Sequence, residues 1–113
     1  MNRKSGQKTL LGYRVTRLLI TLALMSIASA TIAAGNPAAG KFKAISCQIC
    51  HGKDGHSTNP AYPKLAGQHA AYIEKQMHDF KTKKRIDPVM NEMAPSISDR
   101  DIADIAAYFE SIK

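Results

Sequence analysis

The segment CQICH, from Cys47 to His51, contains the only two cysteines of the 113-residue chain, and a histidine follows the second cysteine directly. Thiols and imidazoles carry redox chemistry and bind soft metal ions. Three kinds of site match this spacing: a redox-active dithiol, one half of a zinc site, and a point of covalent attachment for a cofactor. The elements around the segment must discriminate among them.

The helix that leads into the segment disfavours a redox dithiol. Such a motif lies at the start of a helix that follows a strand, where the helix dipole lowers the thiol pKa. Here Asn36 is followed by Pro37, which indicates a helix start. Apolar residues then recur at helical spacing at Phe42, Ile45 and Ile49, so the predicted helix ends in the cysteine motif. No strand pattern precedes it.

The covalent alternative accounts for every residue of the motif. A structural zinc site needs further ligands at a second paired spacing, and the other histidines do not form such a pair with another cysteine. Two thiols separated by two residues, Cys47 and Cys50, can instead add to the two vinyl groups of a haem. The adjacent His51 then binds the iron from one face. One motif predicts one haem c per chain, covalently attached.

The first 34 residues differ in composition from the remainder. Residues 1–17 contain five basic residues and no acidic one, and an uncharged apolar segment follows that ends in small residues. This order predicts a secretory signal peptide over residues 1–34, with cleavage between Ala30 and Ala34. Residues 35–113 then form one periplasmic domain. An uncleaved leader, anchoring the domain to the inner membrane on its periplasmic side, is the alternative.

The charge balance changes once the leader is set aside. The chain has 16 Lys and Arg against nine Asp and Glu, a formal charge of +7, but the mature part has eleven against nine, or +2. The high basicity therefore belongs mostly to the leader, and no nucleic-acid partner is expected. One dense basic cluster remains in the mature part and is a candidate docking site for acidic redox partners: Lys81, Lys83, Lys84 and Arg85.

Helical patterns dominate the rest of the mature part. Gly and Pro mark residues 52–67 as a loop, and residues 69–81 form a second predicted helix with one apolar face. Residues 86–96, bracketed by prolines, are interpreted as a loop with at most one or two helical turns. Ser98 begins a last helix, and no strand alternation is present, so the fold class is all-α. The last helix has an apolar stripe at Ile102, Ile105, Ala106 and Phe109.

Four elements occur in a fixed order: CQICHG, YPKLAGQ, a methionine-containing loop, and ISDRDIADIAAYFESI. Together they resemble the single-haem class I cytochromes c of bacteria. They are most similar to the short-chain kind that also forms each half of certain dihaem periplasmic cytochromes. The resemblance implies the cytochrome c fold over residues 35–113, with three to four helices around one covalently bound haem. It also implies a helix crossing in which Gly40 and Phe42 meet Tyr108 and Ile105.

The second axial ligand of the iron must come from a distant part of the chain. Met77 lies on the apolar stripe of its helix, which indicates core packing, whereas Met90 and Met93 lie in the loop before the last helix. The resemblance implies that Met90 binds the iron and that Met93 is a pocket wall, with Met93 as the second choice of ligand. The other histidines are expected at the surface: His56, His69 and His78.

The resemblance also implies second-shell support and a function. The backbone carbonyl of Pro63 would accept a hydrogen bond from the His51 imidazole. Ligation by His and Met raises the reduction potential and fills the sixth position, which favours electron carriage over catalysis. The predicted function is a periplasmic one-electron carrier between respiratory donor and acceptor proteins, and not an enzyme. The alternatives are a dedicated haem subunit of a dehydrogenase or oxidase, and a small haem peroxidase or gas sensor.

Overall fold

The structure, a computed structural model, describes residues 34–113. The predicted signal peptide therefore lies outside the described residues, apart from Ala34. Within the described part no strand occurs, which confirms the all-α fold class, and no helix there is long and apolar enough to cross a membrane. Short 3₁₀ turns follow α2 and α4. The α-helices are α1 (Pro37–Lys43), α2 (Ile45–His51), α3 (Ala70–Lys81), α4 (Met90–Met93) and α5 (Asp99–Ser111).

The predicted first helix is divided in two at Ala44. This residue is fully buried, and its backbone, with φ −79° and ψ 0°, separates α1 from α2. The start of α1 is capped as predicted, because the Asn36 side chain accepts hydrogen bonds from two backbone N–H groups of the first turn at 2.9 and 3.2 Å. The two helices together deliver His51 to the interior.

The apolar stripe of α1 and α2 faces away from the core. Phe42, Ile45 and Ile49 are 73%, 62% and 82% exposed, so the predicted contact of Phe42 with the last helix is wrong. The buried face of the pair consists instead of small residues, Gly40 and Ala44. Small side chains allow two helix backbones to approach closely, as α1 and α5 do at Gly40.

The crossing of α1 and α5 depends on Gly40. A Cβ atom at this position would lie 1.9 Å from the carbonyl oxygen of Asp104 and 2.9 Å from the Cβ of Tyr108, so a larger residue would force the helices apart. The buried Asp104 side chain also joins the two helices. Its carboxylate accepts hydrogen bonds from the Asn36 backbone N–H at 2.7 Å and from the Lys43 ammonium at 2.6 Å.

The last helix forms the centre of the core. The Ser98 hydroxyl accepts a hydrogen bond from the Asp101 backbone N–H at 3.1 Å, which caps the helix where the sequence predicts its start. α3 packs against it through the buried Ile73 and lies within the predicted second helix. The predicted apolar stripe is buried, with at most 7% exposure at any of its members: Ile102, Ile105, Ala106 and Phe109.

Candidate haem site

A cavity of about 300 Å³ lies among α2, α3, α4 and the loop between α2 and α3. This volume is at the lower end of the range for small-molecule sites, about 300–1,000 Å³. Most of its wall is apolar, with Ile73, Phe80 and Phe109 among the lining residues. The residues that the sequence suggested for haem attachment, ligation and support all line this one cavity: Cys47, Cys50, His51, Pro63, Met90 and Met93.

The imidazole of His51 is buried and held in one orientation. The residue ends α2 and is 8% exposed, and its Nδ1 lies 2.8 Å from the backbone carbonyl oxygen of Pro63. The ring of Tyr62 meets it edge-on, with the ring centres 6.3 Å apart. An Nδ1–H that donates to Pro63 leaves the lone pair of Nε2 available to a metal ion.

The two thiols lie on α2 and are partly buried. In the part of the chain that the structure describes, both Cys47 and Cys50 are free cysteines. Burial raises the pKa of the Cys47 thiol, whereas a redox-active dithiol needs a lowered pKa. Within residues 34–113, no three His, Cys, Asp or Glu side chains cluster as a metal site would require, so the zinc alternative gains no support there. A pair of partly buried thiols beside an apolar cavity fits covalent attachment of a haem.

Two polar residues hold the methionine segment in place: Asp87 caps the start of α4, and Asn91 reaches the end of α3. The Asp87 carboxylate accepts hydrogen bonds from two backbone N–H groups at the start of α4, at 2.8 and 3.0 Å. The Asn91 side-chain amide donates to the carbonyl oxygens of Phe80 at 2.8 Å and Arg85 at 2.9 Å. These bonds fix the direction in which Met90 enters the cavity. The sequence reasoning missed both residues, although Asp followed by Pro is a known helix-start signal.

A hydrogen bond between side chains, which the sequence did not predict, holds the loop after His51 against α5. The Tyr108 hydroxyl donates to the Asp54 carboxylate at 2.5 Å, and the Asp54 backbone N–H donates to the Gln48 side chain at 2.9 Å. The hydrogen bond to Asp54, with burial as a second cause, raises the pKa of Tyr108 to about 12. No sequence signal links residues so distant along the chain.

Polar groups at the cavity wall suit the carboxylates of a haem. Lys64 and Arg85 line the cavity and supply cations, and Gln68 and Gln76 supply amides beside them. The guanidinium of Arg85 donates to Gln76 at 2.6 Å and lies 4.6 Å above the ring centre of Phe80. An apolar interior with cations at its wall is the distribution that an amphipathic porphyrin dicarboxylate needs.

The four residues of the predicted basic cluster lie in different environments. Arg85 lines the cavity, and the Lys81 ammonium donates to the carbonyl oxygen of Ile97 at 2.7 Å and to the carboxylate of Asp99 at 2.9 Å. Lys83 and Lys84 are exposed. The cluster is therefore not a uniform set of free cations.

The alternative ligands lie where the sequence predicts them. Met77 is partly buried and packs against the core cluster, and it also lines the cavity. The three other histidines of the described part are exposed and do not line the cavity: His56, His69 and His78. Imidazole ligation from the far side of the cavity therefore has no candidate among these residues.

A family model described as Cytochrome c matches residues 37–113. The chain belongs to the cytochrome c family. It is 52% identical over 96 residues to cytochrome c4 of Pseudomonas aeruginosa, an alignment that covers 85% of this chain and 46% of the relative. It is 44% identical over 81 residues to cytochrome c-554(548) of Halomonas halodenitrificans, which covers 69% of this chain and 98% of the relative.

Solved structures of cytochromes c support the same assignment. The crystal structure of reduced recombinant cytochrome c4 from Pseudomonas stutzeri matches with a TM-score of 0.67 and 43% identity, over 71% of this chain and 47% of that one. The chain thus spans about half the length of the cytochrome c4 relatives. The predicted family and fold are confirmed, and this c-type cytochrome has covalently bound haem c as its cofactor.

Proposed function

We propose that this c-type cytochrome is a one-electron carrier between respiratory donor and acceptor proteins in the periplasm. One observation supports the proposal most directly: two thiols, an oriented imidazole and three thioethers line a single, mostly apolar cavity. Haem iron supplies the one-electron couple when bound there. The chain's own residues attach the group, ligate it and exclude water from it.

Attachment and ligation are assigned to four residues. The thiols of Cys47 and Cys50 would each add across one vinyl group of the haem, so that a C–S bond forms and the thiol hydrogen passes to the other vinyl carbon. Nε2 of His51 would bind the iron, with the Pro63 carbonyl holding the ring in place. The Met90 thioether would be the second iron ligand, and a soft, neutral ligand favours Fe(II) over Fe(III).

The same ligand set supports a carrier without enzymatic activity. An iron held by both His51 and Met90 would have no position left for dioxygen or peroxide. Met93, which lies one helical turn after Met90, is assigned to the cavity wall. A peroxidase or gas sensor would need a sixth position that is open or easily vacated.

The assignment of Met90 is tested by substitution of each methionine in the matured, haem-loaded protein. We expect the near-infrared band of sulfur-to-iron charge transfer in the ferric protein to disappear in Met90→Ala and to persist in the matched control Met93→Ala. The reverse pattern would move the ligand to Met93. Rapid binding of carbon monoxide by the ferrous wild-type protein would contradict the carrier function.

A dedicated subunit of a dehydrogenase is a second candidate. One relative is named cytochrome subunit of sulfide dehydrogenase, from Chlorobaculum tepidum, and one similar structure is a thiosulfate dehydrogenase from Marichromatium purpuratum. The size of the native species purified without detergent separates the two functions. A carrier elutes as a small free protein, whereas a subunit co-elutes with a catalytic chain.

The proposal also includes export of the protein to the periplasm, with residues 1–34 as its signal peptide. Amino-terminal sequencing of the exported protein should place the first residue just after one of the positions from Ala30 to Ala34. A protein that retains residues 1–17 and stays with the membrane fraction would instead be an inner-membrane anchored form facing the periplasm.

The basic residues between positions 81 and 85, at the end of α3 and just after it, are assigned to the electrostatic attraction of partner proteins. Lys83 and Lys84 are exposed, whereas Lys81 and Arg85 already have partners in the protein. Exposed cations raise association rates with acidic partners at low ionic strength. Neutralising all four should weaken the salt dependence of electron-transfer rates, with most of the effect from Lys83 and Lys84. An unchanged salt dependence would remove this segment from the docking process.

A further inference from the structure

The outward stripe of α1 and α2 is an exposed apolar surface with no role in the haem site. Phe42, Ile45 and Ile49 follow one another at intervals of three and four residues, and each is more than half exposed. None of the three is among the described residues that line the cavity. Adjacent, large, exposed apolar side chains commonly mark a surface that another molecule covers.

The stripe ends at the position where the haem is attached. Ile49 lies between the two proposed attachment residues, Cys47 and Cys50, and its side chain is 82% exposed. A protein seated on Ile49 is therefore next to the thioether edge of the haem. Placement of a partner there shortens the path that an electron must cross.

The charges on these two helices indicate the kind of partner. Residues 37–51 contain Lys41 and Lys43 and no acidic residue. The Lys43 ammonium is bound by Asp101 and Asp104, whereas Lys41 is exposed beside the stripe. A symmetric contact with a second copy would place the same cation on both sides of the interface. A different protein whose contact surface is bordered by acidic residues would complement the charge of Lys41.

We propose that Phe42, Ile45 and Ile49 form the apolar centre of the surface on which a redox partner protein docks. The partner would present an apolar patch surrounded by carboxylates, one of which faces Lys41. The small area suits electron-transfer complexes, which bury less than about 1,200 Å² in total and dissociate quickly. This inference rests on the proposed function and specifies where the electron enters or leaves.

The test measures oxidation of the ferrous, haem-loaded protein by detergent-solubilised inner membranes of the bacterium that encodes it. In Ile49→Ser and Phe42→Ser we expect KM to rise about five- to tenfold with little change in kcat, because a centre of contact is lost. The matched control is Ile86→Ser, since Ile86 is 75% exposed and lies outside the stripe and the cavity lining. It should leave KM unchanged.

Two further measurements separate docking from damage to the site. Oxidation by ferricyanide, a small anion that needs no protein surface, and the reduction potential should both be the same in Ile49→Ser and wild type. Lys41→Glu should raise KM at low salt, and this increase should diminish at high salt as the charges are screened. A KM that stays at the wild-type value in the Phe42→Ser/Ile49→Ser double variant overturns the docking surface.

The remaining outcomes identify which proposal is wrong. If ferricyanide oxidises the wild-type protein but the membranes neither oxidise nor reduce it, the carrier function itself is overturned, and the docking surface with it. If the wild-type protein sediments as a dimer that Ile49→Ser dissociates, the stripe binds a second copy, and the assignment to a redox partner is overturned.

Discussion

The α1–α2 pair and α5 both have an apolar stripe of helical period, yet the two stripes lie in opposite environments. On α5, Ile102 and Phe109 are 1% and 0% exposed, whereas Phe42 and Ile49 on the first pair are 73% and 82% exposed. Periodicity therefore identifies a face of a helix, but it does not decide whether the core or another molecule covers that face.

The His51 side chain explains the difference. Gly40, Ala44 and His51 follow one another at intervals of four and seven residues, so they share one face of the helix pair, and all three are buried. Because the imidazole must enter the cavity, this face is the one turned to the interior. The apolar stripe lies on the other side, and the contact with α5 is made by backbone, small side chains and the pair of Lys43 and Asp104.

The largest expected effect compares two phenylalanines. Phe109→Ala should lower the free energy of unfolding by about 3–5 kcal/mol, because it leaves a cavity in the core. Phe42→Ala, the same change on the exposed stripe, should alter it by less than about 0.5 kcal/mol. Denaturant unfolding of the haem-loaded proteins measures both. Similar losses in the two variants would mean that the stripe contributes to the core.

The sequence predicted the elements of the fold better than their contacts. The caps at Asn36 and Ser98 and the stripe of α5 depend on residues that are neighbours in the chain, so local patterns were sufficient. The interruption at Ala44 and the exposure of Phe42 depend on how closely α1 approaches α5. That distance is a tertiary property, and a local pattern does not contain it.

The second-largest expected effect tests the close approach of α1 and α5 at Gly40. Gly40→Ala should lower the free energy of unfolding by about 2–3 kcal/mol, because the added Cβ would lie 1.9 Å from the Asp104 carbonyl oxygen and the helices must separate. Lys41→Ala, one residue further on an exposed position of the same helix, serves as the control. A fully tolerated Gly40→Ala would show that the crossing is looser than the structure indicates.

The carboxylate at this crossing should make part of the stability depend on pH. The Asn36 backbone N–H and then the Lys43 ammonium hold the pKa of the Asp104 carboxyl below its usual range. A lowered folded-state pKa stabilises the fold above the ordinary Asp pKa of about 3.9, and this contribution disappears as pH falls through the folded-state value. The difference between wild type and Asp104→Asn should therefore be full near neutrality and shrink in acid. A constant difference would contradict the charge-based explanation.

The haem site shows the same division between local and distant information. The residues proposed for attachment and ligation, Cys47, Cys50, His51 and Met90, lie in short motifs, and the structure brings them to one cavity. The groups that support them are set by tertiary contacts. The amide of Asn91, for example, reaches back to the end of α3, and its sequence neighbours give no indication of this.

The smallest expected effect concerns the hydrogen bond between Tyr108 and Asp54, which joins α5 to the loop after the cysteine motif. Tyr108→Phe removes a hydroxyl that donates to a carboxylate, and should cost about 1–2 kcal/mol at neutral pH. Unfolding of the haem-loaded protein measures it. The matched control is Tyr72→Phe, because Tyr72 is 48% exposed and its hydroxyl is absent from the hydrogen bonds found among residues 34–113.

The pH dependence of this difference distinguishes a lost hydrogen bond from altered packing. The hydrogen bond raises the pKa of Tyr108 to about 12, above the ordinary value of about 10. The raised folded-state pKa means that the bond stabilises the fold fully below about pH 10 and that its contribution is lost as pH rises towards about 12. The stability of wild type should therefore converge on that of Tyr108→Phe in alkali. If the difference stays constant through that range, the hydroxyl contributes by packing, and the loop is held to α5 by other contacts.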